Sequence, residues 1–256
     1  MKIYTIINQK GGVAKTTTAH TLGHALAVEG RKVLLVDLDN QANLSLVCGA
    51  EPGRPGAFEL LTGAATLKES IQATETKGLH ILPGSLKMAQ IDIALANIDK
   101  KAYRLKESLK GAKYDYIIID VPPALGTAHI MALTASNFAL IPTAADIFGL
   151  EALKLVNMTI TEVRKKTNKK LRISGVFFTK FTEKSSLQKR ICPAFETVAE
   201  KMGTRVLNSF IRESKAVTEA QAMAETVIER NAKNAAALDY LALLKELKKI
   251  EKENKK

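Results

Sequence analysis

Residues 10–17 read Lys10-Gly11-Gly12-Val13-Ala14-Lys15-Thr16-Thr17, and the fold is decided there. The apolar run Ile3–Ile7 before them has the β-branched character of a strand, and Thr18–Val28 after them has helical spacing. Ala19, Leu22 and Leu26 share one face of that helix, and Gly30 stands where a C-terminal cap is needed. A strand, a glycine-bearing turn and a helix that opens on Lys-Thr form a phosphate-binding loop. Backbone N–H groups and the helix N-terminus converge there on anionic oxygens.

Outward from the loop, short β-branched runs recur at Val33–Val36, Leu79–Leu82, Tyr116–Ile119, Phe138–Ile141 and Ile173–Phe178, with a brief one near Val206. Longer helical stretches separate most of them. This alternation predicts an α/β fold: a doubly wound, mainly parallel sheet flanked by helices, like that of P-loop NTPases. Glu51–Gly56 reads as a loop rather than a boundary, so one domain is expected over residues 1–256, with a disordered tail from about 251 to 256.

Two carboxylate segments fall at strand ends, where such sheets bind ligands. Asp37 and Asp39 follow the run 33–36, and Asp120 closes the run Tyr116-Ile117-Ile118-Ile119 before Pro122-Pro123. An acid beside a polyphosphate needs a metal ion to hold or a water to orient. Proline cannot continue a central strand, so Pro122 turns the chain outward at this point.

The loop departs from G-x-x-x-x-G-K-[ST], because Ala14 stands before Lys15 and a second lysine, Lys10, lies five residues upstream of Lys15. The pattern K-G-G-x-[GA]-K-T-T resembles the deviant Walker A loop of the ParA/MinD ATPases. The segment Asp37-Leu38-Asp39-Asn40-Gln41-Ala42-Asn43 resembles the family's D-x-D-P-Q-x-N with Asn40 in place of proline, and Asp115–Pro123 resembles D-Y-I-I-I-D-T-P-P with Val121 in place of threonine.

This resemblance runs from Met1 to about Lys248 and implies a Mg²⁺-dependent ATPase of slow intrinsic turnover. ATP would be bound by Lys10, Gly11, Gly12, Val13, Ala14, Lys15, Thr16 and Thr17. Thr16 would ligate Mg²⁺, Asp120 would hold it through water, and Asp37 would support its shell. Asp39 would position the attacking water, and Lys10 would reach the nucleotide of a partner subunit in an ATP-bound homodimer. Phe138–Pro142 with Phe148–Glu151 matches a family segment expected to pack structurally. Ile173–Thr179 and Phe210–Ser214 match places where the family holds adenine, although I-P-R-N is not kept.

The formal net charge is +12 and the isoelectric point near 9.6, a balance that favours polyanions. Arg164, Lys165, Lys166, Lys169, Lys170 and Arg172 cluster, and Lys180, Lys184, Lys189, Arg190, Arg212 and Lys215 follow. For partition proteins of the ParA type the resemblance implies non-specific binding to double-stranded DNA, a ParB-like stimulating protein, and a cytoplasmic, nucleoid-associated location. The DNA contacts would come from Lys165, Lys166, Lys169, Lys170, Arg190, Arg212 and Lys215.

Two rivals share the loop. A MinD-like membrane cycler would use Leu238, Leu241, Leu244 and Leu247 as an interfacial stripe, whereas burial is the expected fate of these leucines. A metabolic ligase would need no Lys10. No run is long enough to span a membrane, no leader follows Met1, and Cys48 and Cys192 form no paired motif, which counts against a cluster-binding relative such as the nitrogenase iron protein. His20 and His24 lie one helical turn apart, without a third metal ligand.

Overall fold

The computed structural model describes residues 1–253. Eight strands are formed: β1 (Lys2–Ile6), β2 (Val33–Asp37), β3 (Gln72–Ala73), β4 (Leu79–Leu82), β5 (Tyr116–Asp120), β6 (Phe138–Thr143), β7 (Arg172–Phe181) and β8 (Ile211–Arg212). Their order across the sheet is β3-β4-β2-β5-β1-β6-β7-β8. All neighbours are parallel except β3 and β4. The doubly wound sheet expected from the sequence is therefore present, with a short antiparallel edge added.

The helices are α1 (Lys15–Val28), α2 (Asn43–Val47), α3 (Ala57–Thr62), α4 (Leu67–Ser70), α5 (Ile91–Ala94), α6 (Arg104–Ser108), α7 (Thr127–Ala135), α8 (Ile147–Lys166), α9 (Ser186–Lys201), α10 (Lys215–Ala222), α11 (Val227–Asn231) and α12 (Ala235–Glu253). Alternation along the central strands sends side chains to two cores. Leu34, Val36, Ile117 and Ile119 face one that includes Met131 of α7, Leu153 of α8 and Phe195 of α9. Val33, Leu35, Tyr116 and Ile118 face the other, with Leu22 and Leu26 of α1 and Tyr240 and Leu243 of α12. Strands buried on both sides have no polar face to show, which is why they read as continuous apolar runs.

Gly30 takes a left-handed φ of +81°, and its N–H caps Ala27 O at 2.8 Å, ending α1 as expected. Near Val206 the chain makes an isolated bridge to Val176, and the strand itself comes later at Ile211–Arg212.

The C-terminal helix corrects one expectation. Residues 251–253 continue α12, and Glu251 is buried, accepting from Tyr4 Oη at 2.7 Å and Tyr116 Oη at 3.1 Å while pairing with Lys2. The rest of the expected disordered tail, 254–256, lies outside the described residues. The leucine stripe divides: Leu244 and Leu247 are buried, Leu238 and Leu241 are not. Among the described residues no helix is long and apolar enough to cross a membrane.

Candidate active site

The loop between β1 and α1 is built by its own backbone. Gly12 has φ +72° and Ala14 has φ 61°, ψ 33°, so Ala14 occupies the left-handed conformation that glycine adopts without cost. That turn aims the first amides of α1 into a cleft of about 770 Å³ lined by Gly11, Lys15, Thr16 and Asp39 on one side and by Thr179, Arg212 and Gln221 on the other. Lys15 is 7% exposed and its Nζ donates to Lys10 O at 3.3 Å. Desolvation pulls its pKa down against the opposing pull of Asp120 and Asp39.

The acids converge because β2 and β5 are register partners at Asp37 and Asp120. Asp37 is fully engaged: Oδ1 accepts Asp39 N at 3.0 Å, and Oδ2 accepts Ser45 N at 2.9 Å and Ser45 Oγ at 2.7 Å. Burial, partly offset by these bonds, raises it to about 6. Ser45 Oγ also accepts Gly84 N at 2.8 Å. Asp39 faces the cleft and accepts Gln41 N at 2.9 Å.

Asp120 is 1% exposed, and desolvation first, then the Asp37 charge, push it up to about 8. Its Oδ2 accepts the Thr16 hydroxyl at 2.6 Å, while Oδ1 is buried without a hydrogen-bond partner. An orphaned carboxylate oxygen beside a threonine hydroxyl and two further acids suits a divalent cation. Among the described residues no cluster of three or more His, Cys, Asp or Glu is disposed to hold a metal alone. The donors therefore fit Mg²⁺, which takes one or two protein ligands and completes its shell from phosphate and water.

Lys10 is not among the phosphate-facing groups. Its ammonium lies 2.6 and 2.9 Å from the two oxygens of Asp146 and 5.8 Å from the centre of the Phe148 ring. Asp146 also caps α8 by accepting Gly149 N at 2.7 Å. Burial works to raise the Asp146 carboxyl, but the hydrogen bonds from Lys10 and Gly149 hold it below the usual range. Phe148, expected to pack structurally, is instead 72% exposed at this rim, because α8 turns its Ile147, Phe148, Leu155 and Met158 side outward.

Sequence reading missed Ser45, Gly84, Asp146 and Gln221. Gln221 Nε2 donates to Thr17 Oγ1 at 2.6 Å across the cleft. A Cβ on Gly84 would stand 2.9 Å from the carbonyls of both Asp37 and Asp39, so that glycine lets the acidic loop lie flat against its neighbour. Asp146 carried a legible signal, an acid directly before a helical pattern, but not its pairing with Lys10. His20 is buried and held neutral, its pKa lowered to about 4 by desolvation. His24 pairs with Glu229 at 3.1 Å.

The basic residues fall into two groups along the fold. α8 runs from the cleft rim at Asp146 down to the strand starts, which places Lys165, Lys166, Lys169 and Lys170 at the N-terminal end of β7. Arg190, Arg212 and Lys215 lie at its other end, beside the cleft. A ten-residue strand spans roughly 33 Å, so about that distance separates the two groups. Lys166 is paired with Glu162, and Arg212 makes a two-point ion pair with Asp239 at 2.7 Å.

A family model described as an AAA domain matches residues 1–173. The chromosome partitioning protein ParA of Caulobacter vibrioides is 33% identical over 96% of this chain and 94% of its own. The chain belongs to the ParA/Soj family of partitioning ATPases. The sporulation initiation inhibitor protein Soj of Bacillus subtilis is 35% identical over 96% of this chain and 98% of its own. Apo McdA from Cyanothece superposes with a TM-score of 0.87 at 26% identity, covering 98% of this chain and 99% of that one. Cobyrinic acid a,c-diamide synthase of Mycobacterium smegmatis, solved with an ATP analogue and magnesium, superposes with a TM-score of 0.83 at 28% identity over 96% and 93% of the two chains. The chain is accordingly a P-loop ATPase of the ParA/MinD type.

Proposed function

We propose that this protein is a single-domain DNA-partitioning ATPase whose ATP-bound homodimer binds double-stranded DNA without sequence preference and is released when a ParB-like partner stimulates hydrolysis. The convergence of Lys15, Thr16, Asp39 and Asp120 on one cleft carries the ATPase part of this reading. The names of the partitioning relatives carry the cargo class.

In this reading the amides of residues 11–17 and Lys15 hold the β- and γ-phosphates of ATP. Thr16 and, through water, Asp120 hold Mg²⁺, which when bound neutralises charge on the transferring phosphoryl group. Asp39 orients the attacking water. With both Asp37 oxygens engaged, its expected support of the Mg²⁺ shell becomes a positioning role, exerted on Asp39 through the loop it holds. The adenine lies in the part of the cleft between Thr179 and the 211–214 segment.

Lys10 acts in trans. Its ammonium sits at the rim, out of contact with its own phosphate loop, and leaves Asp146 for the nucleotide of the second protomer. The exposed apolar side of α8 adjoins that rim and suits a second copy. Hydrolysis then requires two chains, so ATP times the lifetime of the dimer. The cellular site that follows is the cytoplasm, on the nucleoid.

The rivals stand less well. A MinD-like cycle needs an apolar stripe free to enter lipid, and Leu244 and Leu247 are buried. The superposition on a diamide synthase keeps a ligase in view, but Lys10 has no task there. Sedimentation with and without DNA, in ATP and in ADP, separates the partition reading from both rivals. ATP-dependent co-sedimentation with DNA is expected. Its absence, with intact ATP hydrolysis, would leave the membrane cycler and the ligase.

A further inference from the structure

The segment between β8 and α12 reaches the phosphate loop through a single side chain. Both of its helices are fastened down. Glu229 of α11 pairs with His24 of α1 at 3.1 Å, and Ala220 and Val227 are buried in the core that α1 and α12 share. α10 ends in a fixed turn, in which Glu225 N donates to Ala220 O at 2.9 Å and Ala224 N to Gln221 O at 3.1 Å, with Ala224 left-handed at φ 58°. Gln221 is itself exposed, but the backbone that presents it is held. Its Nε2 donates to Thr17 Oγ1 at 2.6 Å, and among the described residues this is the one hydrogen bond from residues 215–226 to the phosphate loop.

That bond decides what the Thr17 hydroxyl can do. A hydroxyl has one proton to give and lone pairs to offer. With the Gln221 amide on its oxygen, Thr17 keeps its own proton free, and it donates to no protein acceptor among the described residues. Thr16 and Thr17 stand about 100° apart around α1. The Thr16 hydroxyl turns to Asp120, on the metal side, at 2.6 Å. Thr17 turns the other way, to Gln221, into the part of the cleft that also holds Thr179 and Arg212 and where adenine lies in the proposed function. Between the metal side and the base, the anionic oxygens of a nucleotide are those of the α-phosphate.

We propose that Gln221 is a positioning residue for the nucleotide, holding the Thr17 hydroxyl as a donor to the α-phosphate. The role rests on the phosphate loop holding adenine nucleotide, and adds to it a residue 204 positions away in the chain. A hydrogen bond to a charged acceptor is stronger than a neutral one, so the free Thr17 proton has more to gain from phosphate than from water. The α-phosphate is the same in ATP and ADP and does not react. Gln221 therefore contributes equally to substrate and transition state: it tightens binding of both nucleotides and leaves kcat alone.

The test is equilibrium binding of ADP and of the two diastereomers of ADPαS, each with sulfur in place of one α-phosphate oxygen, to the full chain with Mg²⁺. Sulfur is a poor acceptor, so the wild type should bind one diastereomer about tenfold more weakly than the other. Gln221→Ala should weaken ADP about threefold to tenfold and shrink the diastereomer ratio to about twofold or less. Gln221→Glu should lose more than Gln221→Ala, because a carboxylate only accepts: it takes the Thr17 proton and sets a negative charge beside the phosphates. Thr17→Val removes the hydroxyl, so adding Gln221→Ala to it should cost nothing further. Melting temperatures without nucleotide check that each variant folds. A wild type that binds no ADP would take the loop reading down as well. With ADP bound, any of four results would overturn the role of Gln221 alone: no diastereomer preference in the wild type, the wild-type ratio kept in both Gln221 variants, additive losses in the double variant, or a changed preference for ADP over 2′-deoxy-ADP in place of the changed ratio, which would move the contact to the ribose.

Discussion

Asp146→Asn should make ATP-dependent dimerisation easier. In the single chain each Lys10 ammonium is held by Asp146, and in the proposed dimer it must leave. The two side chains are 27% and 44% exposed, so the pair belongs with solvent-screened ion pairs worth about 0.2–1 kcal/mol. Asparagine removes the charge but still caps a helix as well as aspartate does, so the bond to Gly149 N and with it α8 should survive. A dimer breaks two such pairs, about 0.4–2 kcal/mol in all, equivalent to a dimer dissociation constant lowered by about twofold to thirtyfold. Sedimentation velocity over a protein concentration series, with Mg²⁺ and a non-hydrolysable ATP analogue, measures it. The gain should shrink at high salt, where the wild-type pair is already screened. A dissociation constant that is unchanged or raised would refute the idea that Asp146 restrains Lys10.

Three further outcomes follow from the geometry. Gly84→Ala should cut hydrolysis at least tenfold while the chain still binds ATP, because the new Cβ presses on the Asp37 and Asp39 carbonyls at 2.9 Å; full turnover would show that the acidic loop tolerates the shift. Ala14→Gly should stabilise the fold by about 0.5–1 kcal/mol, since it relieves a left-handed alanine at φ 61°, and a lowered melting temperature would show that the loop carries no such strain. Glu229→Gln should cost about 1 kcal/mol near neutral pH. Burial would raise Glu229, but bonds from His24 and Thr226 outweigh it and hold the group at about 2, so its stabilisation is complete above the ordinary glutamate range, near 4.5, and is lost as pH falls toward 2. The wild-type and variant stability curves should converge over that window, and a constant offset would contradict the assignment.

Much of this site was legible before any coordinates. Lys15, Thr16, Asp39 and Asp120 could be read because a phosphate loop and strand-end acids are local patterns of spacing, and the sheet fixes where strand ends meet. What escaped was long-range. Asp146 lies 136 residues from Lys10, Gly84 lies 39 from Ser45, and Gln221 lies 204 from Thr17, so no local pattern joins them. β3 escaped because Gln72-Ala73 is a two-residue edge with no β-branched run. The basic residues were grouped by closeness in the chain, whereas βαβ logic already put 165–172 at a strand start and Arg190, early in α9, beyond a strand end. Phe148 read as packing because its segment matches a family segment expected to pack; only the outward turn of α8 exposes it.

The central claim is that two copies close over two nucleotides and exchange their Lys10 side chains. A crystal structure with a non-hydrolysable ATP analogue and Mg²⁺ tests it most directly. The account predicts a face-to-face pair with each Lys10 Nζ within about 3 Å of a phosphate oxygen bound to the other protomer. Separate protomers, or a pair in which Lys10 still rests on its own Asp146, would contradict it.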